Sequence, residues 1–307
     1  MSAESKPAVI AALVGNFFIA VFKLIGALIS GSSAMLAEAY HSFSDTFNQV
    51  FLLIGIWRSN KPADRAHPFG YGKEQFFWAF IVALMLFGIA GGLSIREAYH
   101  KFQHPEPLGD LRLSFAVLAF AFVVEAVALA VAVRQFRREM KRERFESLIE
   151  GIRHSRDPAV LTVVFEDALA LVSIVIAFVS ILVSSKTQNP VYDATGSLII
   201  GILLMVFSFI LANEHKKSLV GEPVTPYRRT RILEAIRGVP EVNRIISLKT
   251  LQMGPKHAIV TAEVNLRDDL ITEQIETVID WIEAAIRQVL PTAQCFIEVE
   301  QERETAP

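Results

Sequence analysis

Cysteine is all but missing from this chain of 307 residues. Cys295 stands alone, which excludes an internal disulfide and any thiolate-rich zinc cluster built within one chain. Net charge is scarce too: 30 Lys and Arg against 32 Asp and Glu leave −2, so no electrostatic footprint points to nucleic acid. The first residues, MSAESKPAVIAALVG, lack the small-residue cleavage site of a signal peptide. Their apolar run continues to spanning length, so it reads as an uncleaved first span. Enzyme motifs are lacking as well. His154-Ser155-Arg156-Asp157 has hydrolase letters without the strand–turn–helix context that would give them meaning, so the chain does not read as an enzyme. Carboxylates are sparse up to residue 213 and common beyond it, which divides the chain into an apolar part, 1–213, and a soluble part, 214–307.

What is present in quantity is apolar sequence: 52% of residues, with a mean hydropathy of +0.40, the composition of a membrane protein with a smaller polar domain. Six runs reach the roughly 20 residues a helical span needs: about 8–29, 34–57, 75–95, 112–133, 159–184 and 191–212. The loop after the second run holds Arg58, Lys61, Arg65 and Lys73. The loop after the fourth, within 134–157, is dense in arginine. Both are cytoplasmic by the positive-inside rule, and an even number of spans then puts both termini on that side. Gly88 and Gly92 have GxxxG spacing in the third run, a pattern that lets helices approach closely. Asp157 followed by Pro158 reads as the start of the fifth helix.

The second run is the anomaly. It carries Glu38, His41 and Asp45 at i, i+3 and i+7, one helical stripe, with Asn48 a turn further on. A charge at the bilayer centre costs at least roughly 2.5–3.5 kcal/mol, so an acid and an imidazole there mark an ion path. The fifth run offers Asp167. Imidazole and carboxylate converging from two helices suit a borderline divalent ion such as zinc, at roughly 2.0–2.2 Å; a metal-free His/Asp proton relay is the competing reading. Glu166 is about 100° round the helix from Asp167, so the two cannot both face one ion squarely. Lys23 in the first run either snorkels or pairs with an acid, and Glu125 in the fourth is either packing glue or a proton carrier.

Beyond Gly221 the periodicity turns soluble. Thr225-Pro226 opens a helix that Gly238 closes. Strands follow at 244–253 and 257–266, then a helix at about 272–290 and a strand at 294–300 with Cys295, Ile297 and Val299 inward. The order α-β-β-α-β gives a ferredoxin-like α+β domain of about 85 residues, large enough for a core. The fold class is therefore an α-helical membrane protein of six transmembrane helices followed by that domain on the cytoplasmic side.

These residues resemble the cation diffusion facilitator family of zinc and divalent metal transporters, over nearly the whole chain. GSSAMLAEAYHSFSD looks like the junction of its first two helices, with the His-Ser-x-x-Asp motif at His41, Ser42 and Asp45. AHPFGYGKEQ looks like its second loop, DATGSLIIGILL like its sixth helix, and the tail like its metallochaperone-like domain. The resemblance implies export of Zn(II) in exchange for protons by a homodimer in a lipid bilayer, placed in a bacterial inner membrane. Export of Mn, Fe or Co by the same fold, or a non-transporting module that recruits partners, are the alternatives. No resident cofactor is implied; the metal is cargo. Most zinc members carry His-x-x-x-Asp on the fifth helix, where this chain has Val163 before Asp167. The run RDPAVLTVVFEDALA is similar instead to the branch that contains the mitochondrial zinc exporter, with Glu166-Asp167. The missing ligand falls to Glu166, then water, then Glu125. Asp64 and His67 match part of an auxiliary loop site of some bacterial members, with Tyr71 where a second histidine stands. In the tail, Glu298 and Glu300 occupy the strand where those members have His and Asp.

Overall fold

The structure is a computed structural model that describes residues 5–143, 158–254 and 257–300. Six long helices come first: α1 Ser5–Ser30, α2 Ser33–Ser59, α3 Glu74–Gln103, α4 Arg112–Glu143, α5 Pro158–Thr187 and α6 Val191–Val220. Five of them contain stretches long and apolar enough to cross a membrane. The exception is α2, whose hydropathy is lowered by the polar stripe that singles it out in the sequence. The basic stretch after the fourth run begins as the end of α4; residues 144–157, with the Asp157 cap, lie outside the described residues. Pro158 is the first residue of α5, as expected of a proline at N1.

The helices pack through small residues. Ala27, Ala34, Ala37, Ala90, Ala121 and Ala177 are buried in a continuous core with Leu118, Ile174, Ile181, Ile200 and Leu204, while phenylalanines such as Phe120 and Phe209 face outward. The GxxxG expectation needs correction. Gly88 has open space around it and Gly92 only one distant neighbour, whereas a Cβ on Gly91 would stand 2.6 Å from Met205 Cγ and 3.2 Å from the Gly201 carbonyl. A π-helical stretch over Leu86–Gly91 inserts a residue into the turn and rotates the helix face, bringing Gly91 onto Gly201 of α6.

The chain divides into two compact units. One is the helical part up to Gly55 with Trp78–His215. The other joins Ile56–Phe77 to the region from Lys216 onward. In the second unit α7, Pro226–Arg237, is capped by the Thr225 hydroxyl at its start and Gly238 at its end. Strands β1 (Val242–Gly254) and β2 (His257–Leu266) pair antiparallel, and helix α8 (Thr272–Val289) crosses over to β3 (Gln294–Val299), parallel to β2. Ala258, Val260, Ala262, Val264 and Leu266 are buried together with Val278, Ile282 and Ile286, as the alternation and the helical stripe require. Val299 departs from the expectation: at 37% exposure it lies at the sheet's end, outside the core. Within this unit the Ile56–Phe77 segment touches the end of β1, where a Cβ at Gly72 would collide with the Met253 carbonyl, and β3, where Phe69 meets Phe296 edge to face at 6.4 Å.

Candidate functional site

The polar stripe of α2 is set from its N-terminus. Gly31 adopts φ +64, turning the chain sharply between α1 and α2. The Met35 amide donates to the Ser32 hydroxyl at 3.0 Å, a side-chain cap. Asp193 of α6, fully buried, then accepts from Ser32 Oγ, from the Ser33 amide and hydroxyl (2.5, 2.7 and 2.8 Å) and from the Ala34 amide at 3.4 Å. A carboxylate against the first amides of a helix is favoured by both hydrogen bonding and the helix dipole. The sequence marked Asp193 only as the start of the sixth run. Its partner lies 160 residues away in sequence, so no local pattern could reveal it.

One turn along, Lys23 of α1 reaches Glu38 Oε2 at 2.8 Å and the Ser42 hydroxyl at 2.7 Å, with both charged side chains at 1% exposure or less. The alternatives for Lys23 are thus decided in favour of pairing. The ion pair neutralises Glu38, the first member of the stripe.

His41 is the centre of the remainder. It is 1% exposed, and both ring nitrogens are buried without a hydrogen-bond partner among the described residues. Its Nδ1 lies 3.5 Å from Asp45 Oδ1, close enough for an ion pair when the ring is protonated but not a formed hydrogen bond, and that oxygen is likewise unpartnered. From the fifth helix Glu166 faces α2: Asn48 Nδ2 donates to its Oε1 at 2.7 Å. The stripe residue Asn48 therefore fixes the acid that helical geometry alone had turned away from the ion. Glu125 of α4 and Asp167 of α5 lie near enough to Asp45 to act on it electrostatically, as Asp45 does on Glu166. Among the described residues no three ligating side chains are drawn into coordinating reach of one point. The Val163 side chain lies outside the described set. One buried imidazole and several partly buried carboxylates thus stand on neighbouring helices, the donor types that suit a borderline or hard divalent cation.

The loop pair is arranged otherwise. Asp64 Oδ1 accepts from the amides of Ala66 and His67 (2.9 and 2.8 Å), and Oδ2 accepts from the Tyr71 hydroxyl at 2.8 Å. The Tyr71 hydroxyl, followed by these amides, holds the Asp64 carboxyl below the ordinary carboxylate range. The His67 ring lies tilted at 33° against Tyr71, centroids 4.0 Å apart, and stands 3.8 Å from Asp64. The carboxylate is already occupied by hydrogen bonds.

Comparison with known proteins agrees with this layout. The family model described as the cation efflux transmembrane domain matches residues 9–220, and that of the cation efflux protein cytoplasmic domain matches 226–302. Similar proteins include the "Proton-coupled zinc antiporter SLC30A9, mitochondrial" of Xenopus laevis, 32% identical over 94% of this chain and 52% of that protein. The human protein of the same name is 32% identical over 82% and 44%, and Metal tolerance protein C4 of Arabidopsis thaliana is 28% identical over 88% and 59%. The chain thus spans about half the length of the curated relatives it matches. With one model covering the helical part and another the sheet domain, the chain belongs to the cation efflux family.

Proposed function

We propose that the chain is a secondary transporter that exports a divalent cation, zinc first, in exchange for protons. His41 and Asp45 of α2 and Asp167 of α5 bind the ion, and Glu166 supplies the fourth ligand or carries a proton. The observation that carries this reading is the trio of buried, unpartnered atoms His41 Nδ1 and Nε2 and Asp45 Oδ1. Leaving a buried polar atom unpaired costs about 1–3 kcal/mol, so their retention in a membrane helix argues for a ligand that pairs them. The zinc antiporters among the relatives support the cargo. Swing of α5 toward α2 brings Asp167 and Glu166 onto the ion and completes the shell; the reverse motion releases it.

In this reading the protein is a homodimer in a bacterial inner membrane with both termini cytoplasmic. Residues 1–213 form the transmembrane part and 214–307 the soluble domain. The Asp64–His67 loop serves as a hydrogen-bonded turn in the position of an auxiliary metal site. The oxygen-rich share of the donor set favours Mn(II), Fe(II) or Co(II) as secondary cargo.

Uptake into proteoliposomes, compared across Zn, Mn, Fe and Co under an imposed pH gradient, tests the proposal. His41→Ala and Asp45→Ala are each expected to abolish zinc flux in protein that still inserts and melts normally. Glu166→Gln is expected to flatten its pH dependence. Flux at the unmodified rate in either of the first two variants overturns the site.

A further inference from the structure

We infer that the C-terminal end of α3 carries a second transition-metal site, made by His100 and by His104, the residue that closes the helix. His100 stands in the last turn of α3 and His104, four residues on, is the residue that ends it, with φ −126 and ψ 74; their ring centroids are 5.1 Å apart with planes inclined at 48°. Two imidazoles bound to one tetrahedral ion at roughly 2.0–2.1 Å place their centroids about 5 Å apart, so the rings already stand at chelating separation. Both side chains are exposed, unlike His41, so neither is explained as a packed core histidine.

Hydrogen bonds tie down the turn that carries them. The His104 amide donates to the His100 carbonyl at 2.9 Å. Lys101, between the two, is buried and donates to the Gly31 carbonyl at 2.7 Å, tying the turn to the α1–α2 junction. Tyr99 and Gln103, which flank the pair, bond to each other at 2.7 Å. Pre-positioned ligands on a fixed backbone are what a chelate site requires.

The ligand class follows from the donors. Imidazole nitrogens with no thiolate select Zn(II), Ni(II) or Cu(II) over Mg(II) or Ca(II). Two protein ligands leave the other positions to water, because no third ligating side chain joins them among the described residues. Such a site is open and exchanges its ion readily. It lies at the end of the bundle where α1 meets α2, and its existence does not depend on the transport reading.

Equilibrium dialysis of the full-length chain in detergent against Zn(II), with Cu(II) paramagnetic resonance as a second measurement, tests it. The unmodified protein is expected to bind one more weak Zn(II) per chain than the His100→Gln/His104→Gln double variant. Each single variant is expected to weaken that ion on the order of tenfold or more, as loss of a chelate arm does. Cu(II) bound by an Asp45→Ala variant is expected to show splitting from two nitrogens, falling to one in either single variant. Asp45→Ala must keep the weak ion, which separates this site from the buried one. Equal zinc stoichiometry and affinity in the double variant, or Cu(II) splitting unmoved by the substitutions, overturns the inference and leaves the two rings as neighbouring side chains at a helix end.

Discussion

Lys23 shows how a single residue reshapes the meaning of a motif. Taken alone, the α2 stripe has two acids and an imidazole; with Lys23 2.8 Å from Glu38, one acid is charge-neutralised, and in the proposed function the imidazole–Asp45 pair is left to meet the cation. Removing one partner of a buried pair strands the other charge at a cost of about 3–5 kcal/mol. Lys23→Met is accordingly expected to lower the melting temperature in detergent sharply, and Lys23→Met/Glu38→Leu to recover most of the loss; a double variant as unstable as the single would contradict the pairing. Tyr71 plays a smaller part in the loop. Because the folded Asp64 pKa is depressed, the turn gains stability above the ordinary carboxylate value and loses it as pH falls through the lower folded value. Tyr71→Phe removes the largest cause of the depression. The Asp64 pKa is expected to rise toward the ordinary value, read by NMR titration of the labelled carboxyl, and the acid opening of the loop to begin at a higher pH.

At the scale of elements, the decisive contacts are helix crossings that the periodicity does not specify. The GxxxG spacing names Gly88 and Gly92, yet the π-helical stretch presents Gly91 to Gly201, where a Cβ on Gly201 would stand 2.8 Å from Ile95 Cγ1 and 3.1 Å from the Gly91 carbonyl. Backbone cannot yield as a side chain tip can. Gly201→Val is expected to destabilise by about 1–3 kcal/mol, seen as a lower melting temperature, whereas Gly88→Ala, with nothing within 4 Å, is expected to change it little. Equal effects of the two substitutions would show that α3 and α6 do not cross at Gly91. Strand β2 is the opposite case. Its alternation of Ala258, Val260, Ala262, Val264 and Leu266 is read directly from the sequence, because side chains of a strand alternate whatever the strand packs on.

At the scale of the molecule, the soluble domain has a core of aliphatic side chains from α7, β1, β2 and α8, and no cluster of three metal-ligating side chains among its described residues. Residues 214–307 expressed alone are expected to fold, and chelator to leave their melting temperature unchanged; a large chelator-induced drop would reveal a structural metal. The Ile56–Phe77 segment belongs to the same compact unit, an association between distant parts of the chain that composition does not announce. The sequence by itself determined the six long helices, the α-β-β-α-β order, the core faces of β2 and α8, and the polar stripe that singles out α2. Each of these follows from hydrophobic period and from the cost of charge in lipid, which are local. Tertiary structure alone decided that Lys23 pairs with Glu38, that Asp193 caps α2 and that Asn48 turns Glu166 toward the stripe. These partners come from different helices, and a helical repeat states which face a residue occupies but not which neighbour that face meets.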